Sequence, residues 1–591
     1  MSLFHRCSAA FLVFFAAVSH AQTPVALPQP ETLRIDSIMN GLMKKYKITG
    51  ASMGIVDQHQ LVYAQGYGFA DKKNKVAAGA NTIYGIGSIT KTFTALAIMK
   101  LHAEGKIDLN KPAKYYLPEL TITSLVESGD ILKIKDLLNH TSGLPSDIMN
   151  GDFCDSMTDF HTVITELNKQ VLTEPGGWKM NYSNLGFDLL GCIIEKVSGE
   201  KYEDYIRQYI LQPVNMLEST FNLKENDPAF SKGYMKDSIE TPEPNLREVP
   251  AGALCSNIPD MSKFMMMLMD EGQVQGSRVI PASAIQSMET DHLKDLRVNG
   301  DKEFGYGLFI ERMYNEEDSI TGMGVGHAGD TYVHHSTMFI FPKMHLGFVV
   351  LSNSEEGHNF CNTALLKLFA EYITRVKNIP LHQAASLRWS AKALNNNITD
   401  YREVEGAYGT GSDSYVYIKY KNPKKLAFKQ DRNTLILKLD SAGLFRVVYH
   451  LMGFFPIRVK GVHFAFETID GRIYLKQLSD RLKVCSYLSA KEKTVTLSQP
   501  WKNAVGPYQA INACAGNMQG TPYELKIVNN RLILMVSFPG ESEHEGYSFD
   551  QLSDTLAAID GIDRGCGEIM KILPNGNLYF SGYELQPVSR P

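Results

Sequence analysis

Tyr84-Gly85-Ile86-Gly87-Ser88-Ile89-Thr90-Lys91 sets a serine and a lysine three residues apart, where glycines give way to a strongly apolar run reaching Ala103. On a helix that spacing brings both side chains to one face. A serine hydroxyl attacks a carbonyl only if something removes its proton, and a desolvated lysine does so once its pKa falls. The free backbone N–H groups where such a helix opens suit a developing oxyanion. Two further stretches offer partners. In Glu174-Pro175-Gly176-Gly177-Trp178-Lys179-Met180-Asn181-Tyr182-Ser183-Asn184, a tyrosine and an asparagine sit two apart in a glycine-rich loop, where a phenolate can act as base and an amide can orient substrate. Gly326-His327-Ala328-Gly329-Asp330 adds a small-residue strand against which substrate can lie, with the Asp330 N–H as a second oxyanion donor.

These side chains need a scaffold, and residues 30–380 show mixed periodicity. Leu33, Ile35, Ile38, Met39, Leu42 and Met43 fall at helical spacings, and Ala51–Val56 and Leu61–Ala64 read as strands around a polar turn. Helices are expected from Ser88 towards Ala103, over Leu185–Val197, near Met261–Met269 and near Asn362–Thr374, with strands at Met338–Phe341 and Leu346–Leu351. Strands at both ends with helices between predict an α/β sheet whose terminal segments pair. The run Met265-Met266-Met267 reads as helix core.

After residue 380 short alternating strands dominate, and the segment repeats itself. Glu405-Gly406-Ala407-Tyr408 returns as Val505-Gly506-Pro507-Tyr508, Asn433-Thr434-Leu435-Ile436-Leu437 as Asn530-Arg531-Leu532-Ile533-Leu534, and Asp470-Gly471-Arg472-Ile473-Tyr474 as Asn575-Gly576-Asn577-Leu578-Tyr579. Three landmarks in one order at near-constant offset indicate duplication, hence two small antiparallel barrels or sandwiches. The expected domains are 22–380, 381–497 and 498–591.

Composition narrows the function classes. The 591 residues carry 59 Lys plus Arg against 64 Asp plus Glu, a net charge of −5, so no bulk positive field gathers nucleic acid or anionic membrane. No stretch beyond the N-terminus approaches the roughly 18 apolar residues of a membrane-spanning helix. Arg6, the apolar run Ala9–Val18 and Ser19-His20-Ala21 before Gln22 read as a signal peptide over 1–21, so the expected location is periplasmic or secreted. Seven cysteines follow that leader, an odd number with no CxxC pair; an oxidising compartment permits a Cys514–Cys566 bond. His334-His335 lacks the carboxylate spacing of a metal site, and no P-loop, dinucleotide fingerprint or GxSxG elbow occurs, so no metal or cofactor is expected.

The joint set of Ser88-Ile89-Thr90-Lys91, Leu137-Leu138-Asn139-His140-Thr141-Ser142-Gly143-Leu144-Pro145, Pro175 through Asn184 with Leu190-Gly191, Gly305-Tyr306-Gly307 and His327-Ala328-Gly329 resembles the serine β-lactamase and penicillin-binding protein superfamily, on its class C, D,D-peptidase and D-aminopeptidase-like branch. The resemblance covers about residues 30–380. It implies an antiparallel sheet flanked by helices with an all-helical lobe. It also implies acyl transfer with Ser88 as nucleophile, Lys91 and Tyr182 sharing the proton, and Asn184, His327, Gly329 and Asp330 binding substrate. Two departures bear on specificity. His327 stands where many β-lactamases carry a lysine, which weakens penicillin hydrolysis, since a histidine near pKa 6.5 is mostly neutral. Val333 and His334 stand where relatives often have glycine and an aromatic. His140 is expected to order its own loop through backbone bonds. The expected activity is a D-amino-acid-specific peptidase or esterase on a peptide or small-molecule substrate, with D,D-carboxypeptidase or β-lactamase as alternatives and a catalytically silent peptidoglycan- or partner-binding protein as the rival.

Overall fold

The computed structural model describes residues 27–588 apart from 127–130, 153, 155–158, 223–226, 237–238, 315–319, 380–393, 410–414, 431–432, 452–454, 480–483, 494, 514–519, 538–544 and 563. The expected leader at 1–21 and the expected boundary at 380–381 lie outside the described residues.

A seven-stranded antiparallel sheet organises the first half. Its strands are β1 (Gly50–Asp57), β2 (Gln60–Asp71), β3 (Val76–Ala77), β4 (Phe309–Tyr314), β5 (Ile320–Asp330), β6 (His335–Phe341) and β7 (Leu346–Ser352), in the spatial order β4-β5-β6-β7-β1-β2-β3. The terminal segments do pair, β1 against β7 with Ala51 opposite Ser352. The β1–β2 turn is tight enough to hold Gln58 and His59 at φ +46° and +62°.

Alternation along β1 divides the core. Met53 and Ile55 face helices α1 (Gln29–Tyr46) and α5 (Gly357–Arg375), while Val56 joins the larger core under α2 (Thr90–Ala103), α3 (Asn184–Ser198) and α4 (Ile258–Met269). Capping sets the helix limits. The Ser183 hydroxyl accepts from Gly186 N at 3.2 Å to open α3, Gly199 in the left-handed region closes it, and Asn257 caps α4 by accepting from Asp260 N at 3.0 Å. Met265, Met267 and Met269 are buried, as the core reading expected.

Two closed eight-stranded antiparallel barrels follow, spanning Gly406–Lys491 and Gly506–Pro587. Their first strands are equivalent down to an anchor: the Tyr408 hydroxyl donates to Val404 O at 2.8 Å and the Tyr508 hydroxyl to Ala504 O at 2.6 Å. Asp470-Gly471 and Asn575-Gly576 both turn the chain between sixth and seventh strands. The middle landmark is out of phase. Asn433–Leu439 is the fourth strand of its barrel, whereas Arg531–Val536 is the third of the other. A turn asparagine followed by alternating aliphatics suits any tight hairpin in a barrel, so that likeness reflects strand chemistry and not equivalent position.

Candidate active site

Ser88 lies in a 3₁₀ turn, Gly87–Ile89, that leads into α2. Gly87 takes φ +51°, and a Cβ there would come 2.4 Å from Asp330 N and 2.7 Å from Gly329 C. A Cβ on Gly329 would come 2.0 Å from Ile86 O. Two glycines thus let the end of β5 lie directly on the serine turn, and Ser336 Oγ fastens the turn by donating to Ile86 O at 2.7 Å. The expectation that this small-residue strand leaves room for substrate is corrected at Gly329: its missing side chain is taken up by the protein's own turn. The backbone of Asp330 is held beside Gly87, while its carboxylate is turned into bonds with His335 Nδ1 at 2.6 Å and His358 Nδ1 at 2.9 Å. Burial pushes that carboxyl up, but the two histidines win and hold it well below the usual range.

Lys91 is fully buried, with Nζ 2.9 Å from Ser88 Oγ and donating to Ala251 O at 2.7 Å. Burial is the main cause that brings its pKa down to about 7, with Arg564 contributing and Glu248, Asp147 and Asp188 opposing the shift. Burial likewise pushes the Asp188 and Glu248 carboxyls well up, so they do not restore the full charge of the lysine.

Tyr182 comes from the glycine-rich loop, which is zipped to the Asn139–Pro145 motif. Gly177 N donates to Thr141 O at 2.7 Å, Asn181 N to His140 O at 2.7 Å, and Ser183 Oγ to Pro145 O at 2.7 Å. His140, at φ +60°, accepts from Ser183 N through Nδ1 at 3.1 Å and lays its ring 4.2 Å from that of Tyr182. Burial keeps it well below its ordinary pKa, so it is a neutral loop-ordering residue. The Tyr182 ring centroid lies 5.0 Å from Lys91 Nζ. Burial pushes its phenol up, against the pull of Ser88 and Arg564, so it rests as a phenol; the expected phenolate is not the resting form. Gly307, at φ +70°, seats the Gly305-Tyr306-Gly307 motif against α2, where a Cβ would come 2.8 Å from Ala95 Cβ.

His327 is 2 % exposed, its Nδ1 bonded to Ala328 O and its Nε2 without a hydrogen-bond partner. Its ring lies 6.1 Å from that of Tyr182. Burial, with Lys91 beside it, brings its pKa to about 3, so this position carries no cation. Asn184 is committed on one side: Nδ2 donates to Asp147 Oδ1 at 2.6 Å, and Oδ1 is buried and unpaired.

Sequence reading missed Ala251, Asp147 and, above all, a segment more than 370 residues downstream. The loop 560–568 between the fifth and sixth strands of the second barrel is wedged against the Tyr182 loop. Asn181 Nδ2 donates to both Leu144 O and Cys566 O at 2.8 Å, Gly565 N to Ser146 Oγ at 2.8 Å, and Lys179 Nζ to Gly561 O. Arg564 bonds Asp147 Oδ2 through Nε at 3.0 Å and Nη2 at 2.8 Å, its guanidinium carbon 6.0 Å from the Tyr182 ring centre. No sequence signal marks this loop as part of a site.

Several other expectations resolve. His334 is buried between Glu243 Oε2 at 2.9 Å and Ser231 O at 3.1 Å, a packing role. Of the residues in the expected Cys514–Cys566 bond, Cys566 is buried with its carbonyl bound by Asn181, while Cys154 is in a disulfide. Cys514 lies outside the described residues. Among the described residues, His59, Asp270 and His345 form one group with metal-ligand spacing; it sits at the far end of β1, roughly 20 Å from the serine turn.

A family profile described as Beta-lactamase matches residues 35–370. The Staphylococcus aureus (strain MW2) protein flp is 29% identical over 332 residues, 54% of this chain and 62% of that protein, so the match spans less than two thirds of that relative's length. The octameric penicillin-binding protein homologue from Pyrococcus abyssi aligns at 25% identity with a TM-score of 0.51, over 78% of this chain and 100% of that one. The crystal structure of SurE with D-Leu aligns at 20% identity and a TM-score of 0.55, over 78% and 100%, and shows the shared fold.

Proposed function

The chain belongs to the beta-lactamase family, and from that premise we propose that it is an exported serine hydrolase cleaving an amide or ester bond through an acyl-serine. The observation that carries this reading is the 2.9 Å separation of Ser88 Oγ from a fully buried Lys91 amine whose pKa is brought to about 7. At neutral pH half or more of that amine is unprotonated and its lone pair is available to the serine proton. Ser88 Oγ attacks the carbonyl carbon and its proton passes to Lys91 Nζ. The Ser88 and Asp330 N–H groups receive the oxyanion, a donor worth about 3 kcal/mol in comparable sites. Tyr182, a phenol at rest beside Ser88, donates to the leaving group and regains the proton from Lys91. Water then releases the acyl group by the reverse sequence.

Within this class a D-amino-acid-specific peptidase or esterase ranks first, supported by a barrel loop that bonds the Tyr182 loop and sets Arg564 6.0 Å from the Tyr182 ring. β-Lactam hydrolysis ranks last, because His327 supplies no charge for the ring carboxylate. Intact-mass measurement with a fluorophosphonate probe tests the class: the wild type gains one adduct, and Ser88→Ala gains none and loses ester and amide turnover. Labelling of the Ser88→Ala protein to the wild-type extent would end this reading, and a wild type that gains no adduct would favour the silent binding protein.

A further inference from the structure

Three connections meet at the end of the sheet remote from Ser88, and each brings a side chain able to ligate a metal. His59 sits in the β1–β2 turn, His345 in the β6–β7 turn, and Asp270 directly after the last residue of α4. We propose that His59, Asp270 and His345 form a binding site for one Zn²⁺ ion, which pins the two turns and the end of α4 together. The site is separate from the serine cleft and owes nothing to the acyl-serine reading.

One ligand atom from each of the three residues lies within 4.8 Å of the other two. Donors around a tetrahedral zinc, with bonds of about 2.0–2.2 Å, stand roughly 3.3 Å apart, so seating an ion needs only side-chain adjustment. Two imidazoles and a carboxylate suit zinc, whereas calcium and magnesium demand oxygen donors. Three protein ligands leave the fourth position to water. The His59 and Asp270 side chains are 43% and 31% exposed, so an ion reaches them from solvent. The backbone is already set for it. Both histidines hold the left-handed region, His59 at φ +62° and His345 at φ +46°. Gln58 N donates to His345 O at 2.9 Å and Gln58 Nε2 to Met344 O at 3.2 Å, which stitches one turn to the other and holds the two imidazole rings 4.3 Å apart.

Two features of the cluster are costly without a cation. His345 Nδ1 is buried and has no hydrogen-bond partner among the described residues, where a buried polar atom is ordinarily satisfied. Asp270 is the C-cap of α4, whose last turn carries no basic residue, so a carboxylate lies at the negative end of the helix dipole. Its Oδ1 is 2.7 Å from His59 Nδ1, and a divalent ion between them would answer that charge as well. His161 shows the contrast. Its two carboxylates, Asp159 and Glu195, lie on opposite ring nitrogens and cannot converge on one ion.

The test is calorimetric titration of the metal-depleted full chain with Zn²⁺, with thermal melting followed in parallel. The wild type should bind one Zn²⁺ per chain and, at about 100 times the dissociation constant, melt roughly 3–5 °C higher. Asparagine tolerates the left-handed backbone, so His59→Asn and His345→Asn remove ligands while keeping the turns. Each of them, and Asp270→Asn, should weaken zinc binding by at least about tenfold and lose the thermal gain, whereas His161→Asn should change neither. Undiminished binding in all three variants, or an equal loss in His161→Asn, would mean adventitious surface binding and overturn the proposal, as would a wild type with no saturable zinc binding. X-ray absorption on the zinc-loaded wild type needs no variant: two imidazole nitrogens with oxygens at about 2.0–2.2 Å support the site, and a shell of oxygen alone overturns it.

Discussion

The two barrels share strand number, antiparallel order and the tyrosine anchor of the first strand, yet they meet the catalytic half differently. The first touches the segment before Gly305. Asp301 N donates to Cys485 O at 2.8 Å, Cys485 N donates to the Asp301 carboxylate at 2.7 Å, and Arg297 pairs with Asp470 at 3.2 Å. The second reaches in from between its fifth and sixth strands, where Gly561, Arg564, Gly565 and Cys566 bond the loops that carry Tyr182 and Asn184. A closed barrel satisfies its own strand edges, so its connections are free to lengthen at little cost to the core. The Arg472–Asp560 pair at 2.6 Å ties the barrels together at the root of that loop.

If the first barrel is scaffold, damage to it should appear in stability and spare the chemistry. Lys476 is fully buried and bonds Glu467 Oε2 at 3.0 Å, an oxygen that also accepts from the Tyr487 hydroxyl at 2.6 Å. Lys476→Met should destabilise by about 3 kcal/mol, because Glu467 is left buried without its cation. Urea unfolding should record the loss, while the acylation rate per folded molecule stays at the wild-type value.

The second barrel should behave in the opposite way. Asn181→Leu removes both bonds that hold the Tyr182 loop between Leu144 and Cys566, and should lower kcat by about tenfold to a hundredfold through misplacement of the phenol. Single-turnover acylation measures it. An unchanged kcat would show that the barrel contact does not position Tyr182.

The smallest expected effect concerns pH. The groups facing Lys91 are Glu248, Asp147, Asp188, His140, His327 and Arg564. Below about pH 7 the amine holds a proton and cannot take the one on Ser88, so kcat/KM should rise with pH and level off above that midpoint. Arg564 disfavours the ammonium form, so Arg564→Gln should move the midpoint upward, by roughly half a pH unit for a unit charge several ångströms away in a polarisable mouth. A downward shift in rate profiles would contradict the assigned geometry.

Much of the catalytic half was legible because its signals are local. Ser88 and Lys91 are three apart on one helix, so their meeting needs only helical geometry. The strands β1 and β7 show their burial in continuous apolar runs, and Ser183 shows a helix start in its own side chain. The middle repeat landmark was misread for the same reason: a turn asparagine and three aliphatics describe a hairpin anywhere in a barrel, and carry no information about which hairpin.

Local chemistry therefore determined the pairing of Ser88 with Lys91, the loop that carries Tyr182 and the two closed β units, since propensity, periodicity and turn residues act over a few positions. Tertiary structure alone decided that Gly329 makes room for the serine turn, that His327 is neutral, that Lys91 is stripped of water, and that a guanidinium from residue 564 stands beside Tyr182. Desolvation and the field of distant charges depend on what surrounds a group in space, and chain order does not record those surroundings.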